Sequence, residues 1–201
     1  MKKVIILLLL VSTSISAQMT VAVTGGVNYS NYSTILFENN FYPYNNYKYL
    51  TLANLGFELN YSKNNFILGA GLTYSNRGSR VYGTFFENQY LYYTNDYLEL
   101  PLKISYSYCK RKFDSGFGLV LHNRLNTGFI RVGDGNQAFG LDLRLTSSWN
   151  LNRYLAIVPS YTFGNLDKTI SNTKNVFVHH VFALNLRYTF MRLSKSNFLL
   201  N

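Results

Sequence analysis

Asp96-Tyr97-Leu98-Glu99-Leu100-Pro101-Leu102-Lys103-Ile104-Ser105-Tyr106-Ser107-Tyr108 is the stretch that decides the fold. Leu98, Leu100, Leu102, Ile104, Tyr106 and Tyr108 fall on one side of an extended chain. Tyr97, Glu99, Pro101, Lys103, Ser105 and Ser107 fall on the other. A period of two is that of a β-strand, whose successive side chains point to opposite faces. One face is unbroken grease ending in tyrosines; the other carries a carboxylate and an ammonium group. A soluble sheet turns the grease inward. A membrane barrel turns it outward and gives the polar face to a lumen.

The same alternation recurs along the chain. It predicts eight strands, at about 19–29, 50–62, 66–77, 96–108, 113–124, 137–149, 154–164 and 176–190. Short turns at Lys63-Asn64-Asn65, Cys109–Lys112 and Asn150–Arg153 alternate with long polar connections at about 30–49, 78–95, 125–136 and 165–175. Asn suits a tight turn because it tolerates left-handed backbone. An even strand count with short turns at one end and longer loops at the other is the outer-membrane pattern. The expected fold is therefore all-β: an eight-stranded antiparallel up-and-down transmembrane β-barrel, closed so that no edge is left bare in lipid. The polar faces carry Glu58, Glu99, Lys103, Asp142, Arg144 and Arg187, too much charge for a soluble core. Aromatic residues gather toward strand ends. Tyr61, Phe66, Tyr106, Tyr108, Phe113, Trp149, Tyr188 and Phe190 lie near the short turns, and Tyr29, Tyr74, Tyr161 and Phe163 near the long connections. Two girdles of this kind mark two membrane interfaces. The competing fold is a soluble lipocalin-like β-can with the greasy face inside.

Composition agrees with a lipid-facing wall. Charged residues make up 14% and aromatics 17% of the chain, and no long apolar run follows the first residues, which argues against a helical membrane protein. Lys2 and Lys3, the apolar run Val4–Val11 and the small residues up to Ala17 read as a secretory signal, residues 1–17. Without Lys2 and Lys3 the net charge of +10 becomes +8. The barrel is expected over 18–190 and a short tail over 191–201. Cys109 is the single cysteine, so no intramolecular disulfide forms.

Tyr97-Leu98-Glu99-Leu100-Pro101-Leu102-Lys103 resembles the "YLEIPL" segment of the PorT-like outer-membrane β-barrel proteins of Bacteroidota. Ala17-Gln18, the pair Gly25-Gly26 and the aromatic end of the last strand are similar too. The resemblance implies an integral protein of the cell outer membrane, with its N-terminus on the periplasmic side. It also implies a link to type IX protein secretion, which belongs to the named member. The last strand, Asn185-Leu186-Arg187-Tyr188-Thr189-Phe190, resembles the barrel-assembly signal, but it stops eleven residues short of the chain end.

The candidate site is a lumen charge network of Glu58, Glu99, Lys103, Arg124, Asp142, Arg144 and Arg187. Glu58 and Lys103 are expected at one depth, with Asp142 and Arg144 near it. The hairpin register is expected to put Glu99 opposite Arg124 as a cross-strand pair. The network is read as structural, filling a narrow barrel; the alternative is a small selective pore. His179 and His180 raise a lipid A-modifying enzyme, with His179 facing inward. No Ser-His-acid set converges by register, as nucleophilic catalysis requires, so no catalytic residue is expected. The sequence has no Gly-rich phosphate loop, no dinucleotide fingerprint and no zinc-type spacing, so no cofactor and no metal is expected. The expected partners are outer-membrane lipid and a periplasmic or extracellular protein, not nucleic acid. Tyr42, Tyr44, Tyr47, Tyr49, Phe85, Phe86, Tyr90, Tyr92 and Tyr93 suit a contact surface, since Tyr gives large area at small entropy loss. Lys63, Lys110, Arg111, Lys112 and Arg153 crowd the short-turn end.

Overall fold

The computed structural model describes residues 18–35, 47–83, 89–128, 139–166 and 176–194. They form eight strands: β1 (Gln18–Ile35), β2 (Tyr47–Lys63), β3 (Phe66–Gly83), β4 (Gln89–Tyr108), β5 (Phe113–Gly128), β6 (Phe139–Asn150), β7 (Leu155–Leu166) and β8 (Val176–Ser194). Each pairs antiparallel with its chain neighbours, and β8 returns to β1 to close the barrel.

The alternation of the sequence sets the two faces. On β4, Leu98, Leu100, Leu102 and Ile104 are 39–47% exposed on the outside, while Glu99 between them is 1% exposed. The greasy rows of the other strands also point outward, with Leu55, Phe57, Phe117, Leu143, Leu145, Leu184 and Leu186 all exposed. An apolar band wrapped around a whole barrel exceeds any patch that a soluble monomer leaves bare. Lipid is the solvent that fits it. The lipocalin-like alternative, with grease inside, is overturned. The outer face ends in rings at both rims. Near the short turns, Tyr108 stacks on Phe113 and Phe113 on Trp149. Near the other rim, Tyr29 stacks on Tyr49 at 4.4 Å.

Three tight turns close the short end. Asn64 has φ 55°, and Cys109, Lys110 and Arg111 have φ of 51°, 56° and 65°. Three consecutive non-glycine residues in left-handed backbone are unusual. Lys112 N–H donates to Cys109 C=O at 3.2 Å and closes this turn.

Several strands are longer than the sequence suggested. The stretch 78–95, expected as a loop, is mostly strand: β3 continues to Gly83 and β4 begins at Gln89, paired Gly83↔Gln89. Alternating polar and aromatic side chains are as compatible with a strand above the membrane as with a loop. Ser30–Ile35, Tyr47–Tyr49 and Leu125–Gly128 likewise belong to strands. Tyr47 and Tyr49 thus lie in β2, and Tyr90, Tyr92 and Tyr93 in β4. Tyr42, Tyr44, Phe85 and Phe86 lie outside the described residues. At the other end β8 runs four residues past Phe190, because Gln18, where β1 starts, pairs with Ser194. The tail assigned to 191–201 therefore begins inside the wall.

The ladder has three irregularities. Val21 pairs with Met191 and Ala22 with Thr189, which leaves Phe190 as an extra residue. A second bulge lies between Asp96 and Tyr97. The third is a lapse in β2–β3 pairing between Tyr49 and Asn54. There the inward side chains of β1 serve the backbone of β3. Asn28 Nδ2 donates to Asn76 C=O at 2.9 Å, and Ser30 Oγ exchanges bonds with Gly78 N–H and C=O at 2.7 Å. No shift falls at Pro101, although proline gives up a ladder hydrogen bond. Pro101 pairs with Val120 in unbroken register. On its other side stands Gly71, where an added Cβ would meet Pro101 Cγ at 3.2 Å.

Candidate functional site

The lumen is lined by the polar face of every strand, and its charges sort into two layers. The upper layer is built on Arg77 of β3. Its side chain is wholly buried, and Nε and Nη2 donate to Glu99 Oε1 at 2.9 and 2.6 Å. Nη1 donates to Asp142 Oδ2 at 2.7 Å. Glu99 takes a second cation from Arg144, whose Nη2 donates to Oε2 at 2.6 Å and whose Nε donates to Thr162 Oγ1 at 2.8 Å. Asp142 Oδ2 also stands 3.0 Å from His122 Nδ1 and 3.0 Å from His179 Nε2. His179 Nε2 lies between Asp142 and Arg77 Nη1, so its tautomer sets whether it donates to one or accepts from the other. Tyr97 closes the layer: Arg77 lies 4.9 Å from its ring centroid and His122 packs edge-on at 5.2 Å.

The lower layer is smaller and wetter. Lys103 Nζ donates to Glu58 Oε2 at 2.6 Å. Asp114 Oδ2 accepts from Ser148 Oγ at 2.7 Å and Asn150 Nδ2 at 3.1 Å. Arg187 spans the layer, 3.6 Å from Asp114 and 3.9 Å from Glu58. A small polar recess opens beside Lys103, Asp114, Ser148 and Arg187.

Each layer balances. Arg77 and Arg144 oppose Glu99 and Asp142 above; Lys103 and Arg187 oppose Glu58 and Asp114 below. A buried charge is tolerated when paired and hydrogen-bonded, and costly otherwise. Among the described residues, no group of three or more His, Cys, Asp or Glu is arranged to hold a metal ion.

The placement differs in three ways from the one expected. Glu99 faces His122, not Arg124, because the turn leaves Tyr108 opposite Phe113 and that register runs unbroken to Tyr97, which faces Arg124. Asp142 and Arg144 stand in the upper layer with Glu99, not at the level of Glu58 and Lys103. The expected set also omitted Arg77, Tyr97, His122 and Asp114, and His179 was set aside with its neighbour His180. His179 is buried in the lumen, whereas His180 meets the Tyr161 hydroxyl at 2.7 Å in the outer girdle. Parity held the signal for Arg77: it continues the inward row of Thr73 and Ser75. Glu99 lies on the neighbouring β4, but Asp142 and His179 lie on β6 and β8, and no local pattern reveals those.

No family model matches the chain, and no curated protein does. Solved outer-membrane barrels match it in architecture. Neisserial surface protein A shares 12% identity over 85% of this chain and 97% of its own, with a TM-score of 0.50. OprG from Pseudomonas aeruginosa shares 12% identity over 90% and 98%, with a TM-score of 0.48. Outer membrane protein W of E. coli shares 14% over 89% and 100%, with a TM-score of 0.41. At such identities the likeness to Neisserial surface protein A establishes the eight-stranded outer-membrane barrel fold and nothing finer.

Proposed function

We propose that this chain is a non-conducting outer-membrane barrel of the PorT-like type, with a structural or binding role in the cell envelope as part of a protein-secretion or envelope assembly. The observation that carries this reading is the upper charge layer. Arg77, Glu99, Tyr97, Asp142, Val120, Thr162 and His179 are each under 2% exposed, so the lumen is filled at that level. Narrow eight-stranded barrels are filled in this way. The network is structural: the side chains that line the lumen bind one another. A nucleophilic mechanism is disfavoured because Asp142, the acid nearest the histidines, is already engaged by Arg77.

Binding then falls to what stands above the wall. A spanning strand needs about 9–11 residues. β6 and β7 have 12 each, whereas β3 has 18 and β4 has 20. Among the described residues the β4–β5 ladder reaches Thr94↔Gly128, and β3–β4 reaches Gly83↔Gln89. A ribbon therefore rises from the long-connection rim, with β3 paired to β4 on one side and, at Ser79–Val81, to Tyr47–Tyr49 of β2 on the other. Among the described residues, Gln89–Tyr93 pairs with β3 alone, which suits addition of a partner's strand.

Two measurements test the reading. In a planar bilayer the purified protein should be silent; steady single-channel steps would overturn the closed lumen. A photo-crosslinker at Tyr92 should capture an envelope protein in the native membrane. If only lipid is captured there, the ribbon is not the binding surface.

A further inference from the structure

The short-turn rim also concentrates charge, but there it is not balanced. Lys63, Lys110, Arg111, Lys112, Arg153 and Arg192 are all exposed. Among the described residues no carboxylate forms an ion pair with Arg111, Arg153 or Arg192. The carboxylate nearest this rim, Asp114, is buried and already held by Ser148, Asn150 and Arg187. The cations sit on a fixed frame, because the turns are bonded to one another. Arg111 Nη2 donates to Asn64 C=O at 2.8 Å, Asn150 N–H donates to Lys112 C=O at 2.8 Å, and Asn150 Nδ2 donates to Arg111 C=O at 2.9 Å. The Arg192 guanidinium donates to Arg153 C=O, which brings two arginines to one corner where the end of β8 passes the β6–β7 turn. Arg192 lies on β8 beyond the girdle residues Tyr188 and Phe190. Like charges crowded without a counter-charge favour an anion between them.

The same corner is apolar on its outer side. Leu151 and Tyr154 of the β6–β7 turn and Met191 and Leu193 on the outer face of β8 are 40–45% exposed, and Arg153 lies 4.6 Å from the Tyr154 ring centroid. Charge alone would suit an acidic peptide. Grease merging into arginine at the membrane interface suits an amphiphile. Arginine presents a rigid fork that matches phosphate oxygens.

We propose that Arg153 and Arg192 bind the phosphate of an anionic phospholipid in the leaflet at the short-turn end, with its glycerol and upper acyl chain against Leu151, Tyr154, Met191 and Leu193. Lys110, Arg111 and Lys112 add a long-range field. By the rule that short turns face the periplasm, this is the inner leaflet of the outer membrane. The site requires only that the barrel spans the membrane and is independent of the partner-binding ribbon.

The test titrates the detergent-purified full chain with dihexanoyl phosphatidylglycerol or dihexanoyl phosphatidylcholine and counts retained lipid by native mass spectrometry. Phosphatidylglycerol should be retained at least about tenfold better at low salt. A basic residue near an anionic surface contributes about fivefold in affinity, so R153Q/R192Q should lose about 25-fold. K63Q, on a distant turn, should stay within about twofold. Heat-modifiable gel mobility reports whether each variant is folded. If the double variant is not, R153Q alone, in an exposed turn, should still lose about fivefold. Equal retention of the two lipids, or an unchanged R153Q, overturns the site. Competition by inorganic phosphate at the lipid's own concentration makes it a free-anion site and overturns the lipid. Tighter binding of a polyglutamate peptide than of phosphatidylglycerol overturns it in favour of an acidic protein.

Discussion

Arg77→Gln is the most informative single change in this barrel. It removes two hydrogen bonds to Glu99, one to Asp142 and the contact with His179. The upper layer then holds one cation, Arg144, against two carboxylates that have no solvent to turn to. Removing one partner of a buried ion pair costs about 3–5 kcal/mol, so R77Q should destabilise by that amount. E99Q should cost a similar amount by stripping both arginines of one acceptor. The double variant R77Q/E99Q restores one cation against one anion, so it should lose less than the sum, with a coupling of about 1–3 kcal/mol. The assay is urea unfolding in phospholipid vesicles. Two probes serve: emission of the single tryptophan, Trp149, as it leaves the girdle, and loss of heat-modifiable mobility. Additivity within about 0.5 kcal/mol would refute the shared layer. So would an R77Q cost under about 1 kcal/mol.

Other outcomes follow from single positions. Gly25 and Gly26 are neighbours with opposite tolerance: a Cβ on Gly26 would lie 2.1 Å from Leu184 C=O, whereas one on Gly25 meets the Leu55 side chain at 3.3 Å and Asn54 C=O at an ordinary 3.7 Å. Gly26→Ala should cost about 1–3 kcal/mol in the same unfolding assay and Gly25→Ala under about 1; equal costs would contradict the inward and outward assignments. Gly164→Ala puts a Cβ 1.6 Å from Asp142 Oδ1, so it should displace the carboxylate and approach R77Q in cost. Lys103→Met acts in the less buried layer, where both side chains are 13–16% exposed. Its cost should fall below that of R77Q, and the reverse order would undo the ranking by burial. Cys109 is exposed in the β4–β5 turn. An impermeant maleimide should leave intact cells unlabelled and label them after permeabilisation; labelling of intact cells would invert the barrel.

The strands and their faces were legible because a barrel wall is a local code. Parity alone put Leu98 in lipid and Glu99 in the lumen. Two kinds of information were not local. Register depends on which residues a turn leaves opposite each other, and Tyr108 opposite Phe113 is what puts Glu99 against His122 rather than Arg124. Contacts across the lumen depend on curvature, so Arg77 gave no sign of Asp142, although both sit on polar rows. Strand length was underread for a third reason. Above the membrane the lipid no longer demands grease, and Gly78–Gly83 and Gln89–Asn95 therefore look like loop while forming a ladder.

The upper charge layer also bears on how the chain completes itself. Arg77 lies on β3, Glu99 on β4, Asp142 on β6 and His179 on β8. In a flat sheet β3 and β6 lie three strand spacings apart, about 14 Å, yet Arg77 and Asp142 are 2.7 Å apart. The backbone ladders would be as well satisfied in an open sheet, apart from the two edges. The charges would not. A half-inserted sheet would hold Arg77 and Asp142 as separate ions beside lipid. Neutrality of the lumen is therefore a property of the cylinder alone, and it rewards the last strand for arriving.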